Sequence, residues 1–135
     1  MTSRGKFITL EGGEGVGKST NLRFIQDYLT AQGIELIVTR EPGGTDLGEA
    51  IRQLLLDVDN HGMHADTELL LVFAARAEHV HRKILPALSQ GHWVLSDRFI
   101  DASFAYQGGG RGLGPERVHA LARFVLEDFQ PDLTL

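Results

Sequence analysis

The chain has 135 residues, 42% hydrophobic and 23% charged, with a net charge of −5 and no cysteine. That length and balance suit one globular domain with a real core. The acidic balance argues against a nucleic-acid partner. The missing cysteine removes disulfide frameworks and thiolate metal sites, and no apolar run approaches the ~20 residues of a membrane span.

Met1 to Lys6 lead straight into Phe7-Ile8-Thr9-Leu10, an apolar run that reads as a buried strand. No h-region or cleavage site is seen, so no secretory leader is expected, and the composition fits a reducing cytoplasm. Next comes Gly12-Gly13-Glu14-Gly15-Val16-Gly17-Lys18-Ser19, which fits G-x-x-x-x-G-K-[ST] at every fixed position. Leu22, Ile25 and Leu29 then repeat at helical spacing, predicting a helix over 18–32 that Gly33 stops. Strand, glycine loop, helix is the context a phosphate-binding loop needs. Its backbone N–H groups and the helix N-terminus form a positive nest. Lys18 would reach the β- and γ-phosphates, and Ser19 would ligate Mg²⁺.

A strand is predicted at 35–39, a loop at 40–45 and a helix at 46–56. In Arg40-Glu41-Pro42-Gly43-Gly44-Thr45 an arginine and a glutamate precede a Pro-Gly-Gly turn. This suits a second phosphate or sugar subsite, and equally a plain surface turn. In the loop at 57–65, Asp57, Asp59, His61 and Gly62, with Glu68 beyond, imitate a calcium loop, but His61 stands where Asp or Asn is needed. His61/His64 lack a third ligand, and His79/His81 splay across a helix, so no zinc site is expected.

The helix predicted over 66–89 carries Phe73 and Arg76 on one face. Spacing alone assigns Phe73 to the core and Arg76 to solvent; the functional alternative is a ring against a base and a donor to a base carbonyl. Its apolar face from Leu69 to Phe73 is core or a subunit interface. Pro86 should kink this helix or end it early, and Gly91 stops it. A strand at 93–96 runs into Asp97-Arg98, an acid suited to Mg²⁺ and an arginine suited to a bidentate grip on phosphate. A helix at 99–106 follows. The glycine-rich 107–114 reads as too flexible for a helix, either a mobile cover or a connector. A helix at 115–129 and a strand at 132–135 complete the order. This alternation predicts a single α/β domain over 1–135, with a parallel sheet and ligands beyond the carboxyl ends of its strands.

With the glycine loop, Arg40–Thr45, Asp97-Arg98 and Ala105-Tyr106-Gln107-Gly108 in order, the chain resembles the bacterial thymidylate kinases from about Lys6 to Leu135. The resemblance implies a three-layer P-loop NTPase fold with five parallel strands in the family and about four here. A lid, a last strand and further helices are expected after residue 135. It implies transfer of the γ-phosphoryl of ATP to dTMP with Mg²⁺, in dTTP synthesis for DNA replication, by a cytoplasmic homodimer. Gly12, Gly13, Glu14, Gly15, Val16, Gly17, Lys18, Ser19 and Thr20 would cradle the ATP phosphates, with Glu14 also near the dTMP 3′-hydroxyl. Arg52 and Arg98 would hold the dTMP phosphate, Asp97 and Ser19 the metal. Phe73, Arg76, Ser103 and Gln107 would meet thymine, although many family members place the stacking phenylalanine where Val72 stands. Gly15 resembles the subclass whose mobile lid supplies a further arginine, so the 135 residues alone are expected to bind dTMP and turn over poorly. The alternatives are another nucleoside monophosphate kinase, for AMP, GMP or dUMP, a P-loop nucleotide-binding module without acceptor chemistry, and a dimerising fragment.

Overall fold

Strands β1 (Phe7–Leu10), β2 (Leu36–Arg40), β3 (Trp93–Asp97) and β4 (Leu133–Thr134) form one parallel sheet in the order β2-β3-β1-β4. The computed structural model describes residues 4–11, 18–103, 107–109 and 111–135, without the side chains of Lys18, Asp101 and Ala102. All four residues of β1 are buried, the pattern of a parallel strand covered on both faces. Successive side chains point to opposite faces. Ile8 and Leu95 therefore pack with Leu29 of helix α1 (Lys18–Ala31), while Phe7 and Val94 pack with Val80, Ile84 and Leu88 on the other side. The result is a three-layer α/β/α sandwich. Phe7 is fully buried, edge-on to Phe99 at 5.0 Å and stacked on Phe129 at 5.3 Å.

Helix α1 ends at Ala31, with Gly33 at φ 82° just beyond it; Gly33 N–H bonds the Thr30 carbonyl and Ile34 N–H the Leu29 carbonyl. Helix α2 (Asp46–Leu56) keeps its predicted bounds because Thr45 caps it, accepting from the Gly48 N–H at 2.9 Å. A short 3₁₀ turn at Val58–Asn60 interrupts the predicted loop. The long helix starts at α3 (Ala65–His79) and runs on through α4 (Leu85–Ser89), so Pro86 does not end it. Between them Val80–Ile84 winds as a π-helical turn, in which Leu85 N–H bonds the Val80 carbonyl five residues back. The hydrogen-bond register shifts there, just ahead of the residue that cannot donate.

Helix α5 (Ile100–Ser103) is short, and residues 104–106 of its predicted length lie outside the described residues. Gln107 to Gly109 are wound as a π-helical turn, against the expectation of a flexible loop. Gly114 N–H bonds the Gly108 carbonyl at 2.8 Å and Arg111 bonds the Met63 carbonyl at 2.7 Å, so the segment is tied back on itself and to the chain ahead of α3. Helix α6 (Pro115–Leu126) packs Val118 against Leu69 and Phe73 of α3. Asp132 accepts from the Phe7 N–H at 2.7 Å, which docks the chain beside β1 just before β4 begins. Among the described residues no helix is long and apolar enough to cross a membrane.

The strand order places the site. From β1 the chain passes over β3 to β2, and from β3 it passes over β1 to β4. The connections leaving the neighbouring strands β1 and β3 thus run in opposite directions, opening a crevice at their carboxyl ends. Glu11 leaves β1 there and Arg98 leaves β3 there.

Candidate functional site

Two turns build the crevice. After β2, Glu41 N–H bonds the Asp97 carbonyl at 3.0 Å, a cis Glu41–Pro42 bond follows, and Gly43-Gly44 carry the chain into α2. Gly44 has φ 88°, and a Cβ there would meet the His79 ring. Glu49 accepts from the Gly44 N–H at 3.1 Å and from Arg40 at 2.9 Å. The Arg40 hydrogen bond, then the Gly44 N–H, holds its carboxyl down to about 2. Arg52, also on α2, bonds the Pro42 carbonyl at 3.1 Å, and Lys83 of the π turn bonds the Gly44 carbonyl at 3.0 Å, which fastens the turn from a second helical element.

After β3, Arg98 adopts φ 72°, a left-handed conformation that costs a non-glycine residue about 1–2 kcal/mol. Its N–H is held by the Leu10 carbonyl at 2.9 Å and its carbonyl by the Ser96 hydroxyl at 2.8 Å. Phe99 N–H donates to Glu11 at 2.9 Å. Such over-determined strain is characteristic of functional positions.

Between these turns and α3 lies a pocket of about 320 Å³. Arg76, Arg98, Ser103 and Gln107, four of the sequence candidates, come together on its wall. Pro42, Leu55, Leu56, Val72 and Phe99 supply its apolar surface, and Glu68 adds a carboxylate. Arg52 does not line this pocket; it bonds the carbonyl of Pro42, which does. Asp97 and Arg40 instead line a hollow of about 480 Å³ on the α1 side of the β2 turn. A larger hollow of about 680 Å³, between α6 and β4, holds none of the candidates, and we assign the site to the pocket where the arginines converge.

Arg76 is buried rather than solvated, at 3% exposure. Nε donates to Glu41 Oε1 at 2.6 Å and Nη2 to the Phe99 carbonyl at 3.2 Å, while Nη1 is buried with no partner among the described residues. His79 Nδ1 meets the other Glu41 oxygen at 2.7 Å, and its Nε2 meets Thr39 Oγ1 at 2.7 Å. Burial alone would raise the Glu41 carboxyl, but the Arg76 charge and the His79 hydrogen bond outweigh it and hold it below the ordinary value. Phe73 lies in the core against Leu69 and Val118, its ring 4.8 Å from the Arg76 guanidinium, and Val72 faces the pocket in its place. One residue of helical advance turns a side chain by about 100°, enough to move it from wall to core.

Ser19 and Thr20 are exposed in the first turn of α1. Gly12, Gly13, Glu14, Gly15, Val16 and Gly17, with the Lys18 side chain, lie outside the described residues, as do Ala105 and Tyr106. Sequence reasoning missed Glu41, His79 and Thr39 as a unit. Arg76 and His79 share a helix face, which was visible, but their common partner is 35 residues from Arg76 in the chain.

A family model described as thymidylate kinase matches residues 10–135. A thymidylate kinase of Ruthia magnifica subsp. Calyptogena magnifica is 64% identical over 132 residues, covering 98% of this chain and 64% of that protein. One of Pseudomonas syringae pv. tomato is 62% identical over 131 residues, covering 97% and 62%. The chain thus spans under two thirds of the length of these curated relatives. The crystal structure of a thymidylate kinase from Ehrlichia chaffeensis superposes with a TM-score of 0.88 at 41% identity, covering 97% of this chain and 73% of that one.

Proposed function

The chain belongs to the thymidylate kinase family, and on that premise we propose that its pocket receives dTMP, to which the protein passes the γ-phosphoryl of ATP, giving dTDP and ADP. The observation that carries this reading is the convergence of Arg76, Arg98, Ser103 and Gln107 on one small pocket at the sheet's switch point, with a buried N–H edge on Arg76 that has no partner among the described residues. Arg76 would donate to the base edge, and the Gln107 amide would both donate to it and accept from it. Val72, Leu55 and Phe99 would take its faces. Arg98 and Arg52 would grip the phosphate, where a planar fork matches two oxygens.

Phosphoryl transfer asks little covalent chemistry of the protein. Two polyanions must be brought together in line, so Arg52, Arg98 and Lys18 act by neutralising and orienting them. The dTMP phosphate oxygen is already a nucleophile and needs no general base. The oxygen donors Ser19, in the first turn of α1, and Asp97, at the end of β3, suit Mg²⁺, which takes few protein ligands and keeps its waters. When bound there it would offset charge on the transferring phosphates. A homodimer belongs to the same reading, supported by Leu70 standing 58% exposed on α3 beside a groove floored by Leu121 of α6. So does a place in cytoplasmic dTTP synthesis.

The test is the thermal shift of the chain with dTMP against AMP, GMP and dUMP at equal concentration. A ligand at 100 times its Kd adds about 2.7 kcal/mol. The largest shift belongs to dTMP; equal shifts, or none, would remove the reading.

A further inference from the structure

We propose that Glu41, His79 and Thr39 are positioning residues that brace Arg76, so that a single N–H edge of its guanidinium is presented to a keto oxygen of a bound pyrimidine. The proposal rests on the dTMP reading and adds to it residues that act through Arg76.

The geometry is specific. Glu41 Oε1 takes Nε at 2.6 Å, the Phe99 carbonyl takes Nη2 at 3.2 Å, and the guanidinium lies 4.8 Å from the Phe73 ring and 5.5 Å from the Phe99 ring. Those contacts leave Nη1, which is buried and has no partner among the described residues, on a side chain that lines the pocket. Glu41 itself is fixed from behind. Its second oxygen is held by His79 Nδ1, whose other nitrogen is held by Thr39, each at 2.7 Å. Glu41, His79 and Thr39 are all buried.

Two consequences follow for recognition. The carboxylate cancels the arginine's charge, so Nη1 offers a directed donor with little net field, which fits a neutral carbonyl better than a phosphate. A donor fixed this firmly also rejects an amino group in the carbonyl's place, because two donors would face each other and leave a buried polar group unpaired. Thymine and cytosine differ in this way at one ring position. A buried ion pair is weak evidence for stability as such, so positioning is the more economical use of this cluster.

The test uses Glu41→Gln, which keeps shape and removes the charge, and Thr39→Val as the milder variant should the first fail to fold. In the ligand-free chain, NMR relaxation of the Arg76 Nε–H group reports its order. It should be rigid in the parent and mobile in Glu41→Gln, with Thr39→Val between. Calorimetry with dTMP and dCMP reads the second half. Glu41→Gln should weaken dTMP about tenfold or more and shrink the dTMP-over-dCMP preference. In an Arg76→Met background it should weaken dTMP no further. An Arg76 equally ordered in parent and variant overturns the brace. A folded variant with unchanged dTMP-over-dCMP preference overturns the recognition role. A parent that binds neither nucleotide overturns the dTMP reading and, with it, the recognition role, while the relaxation data still decide the brace.

Discussion

Gly44→Ala tests how tightly the β2 turn is built against the buried cluster. At φ 88° an alanine carries the left-handed penalty of about 1–2 kcal/mol. The added Cβ would also strike the His79 ring and stand 2.8 Å from Thr39 Oγ1. Both are buried and hydrogen-bonded, so neither can swing aside, and overpacking of that kind costs about 1–3 kcal/mol. The sum is about 2–5 kcal/mol. At about 2.1 cal/mol/K per residue, the 135-residue chain has a melting entropy of about 0.28 kcal/mol/K, giving a Tm loss of about 7–18 °C. Gly33→Ala is the control. Gly33 has φ 82° and nothing within 4 Å of an added Cβ, so it should show the backbone penalty alone, about 4–7 °C. Differential scanning calorimetry compares the two. Equal losses at both positions would refute the steric argument and the packing of Gly44 on His79.

Other outcomes follow from the same contacts. Phe7→Ala should cost about 3–5 kcal/mol in urea unfolding, because its ring is fully buried between Phe99 and Phe129. Glu49 has a folded value of about 2, below its ordinary 4.5, so it stabilises the fold above about pH 4.5 and loses that contribution as pH falls through the folded value. Glu41 is depressed in the same direction and titrates the same way. Parent and Glu49→Gln should therefore differ most in stability near neutral pH and converge in strong acid; a gap independent of pH would count against the Arg40 and Gly44 contacts. Arg98→Ala should weaken dTMP about tenfold or more while leaving thymidine binding nearly unchanged. Equal losses for both in calorimetry would remove Arg98 from the phosphate.

The elements set by local chemistry were legible in the sequence. β1 reads from four consecutive apolar or β-branched residues, and the end of α1 from Gly33. The grouping of Arg76, Arg98, Ser103 and Gln107 is what the family resemblance implies, and these four line one pocket, but spacing alone does not bring them together. Tertiary contacts decided the rest. The π turn before Pro86 is a register shift that apolar spacing does not report. Gln107 to Gly109 are wound in a helical turn near contacts from Met63, ahead of α3, and Val118 of α6. Phe73 and Val72 exchange wall and core through one step of helix phase, which a three- or four-residue spacing leaves open. Arg76 was assigned to solvent by spacing, because nothing local reveals that Glu41 waits for it across the sheet edge.

The most direct measurement is an NMR titration of the isotope-labelled chain with dTMP. The predicted result is saturable perturbation of the Gln107 side-chain amide, the Arg76 Nε–H and the Arg98 and Ser103 backbone signals. Perturbation centred on His119 and Arg123 in the larger hollow, or none at all, would contradict the assignment of the site.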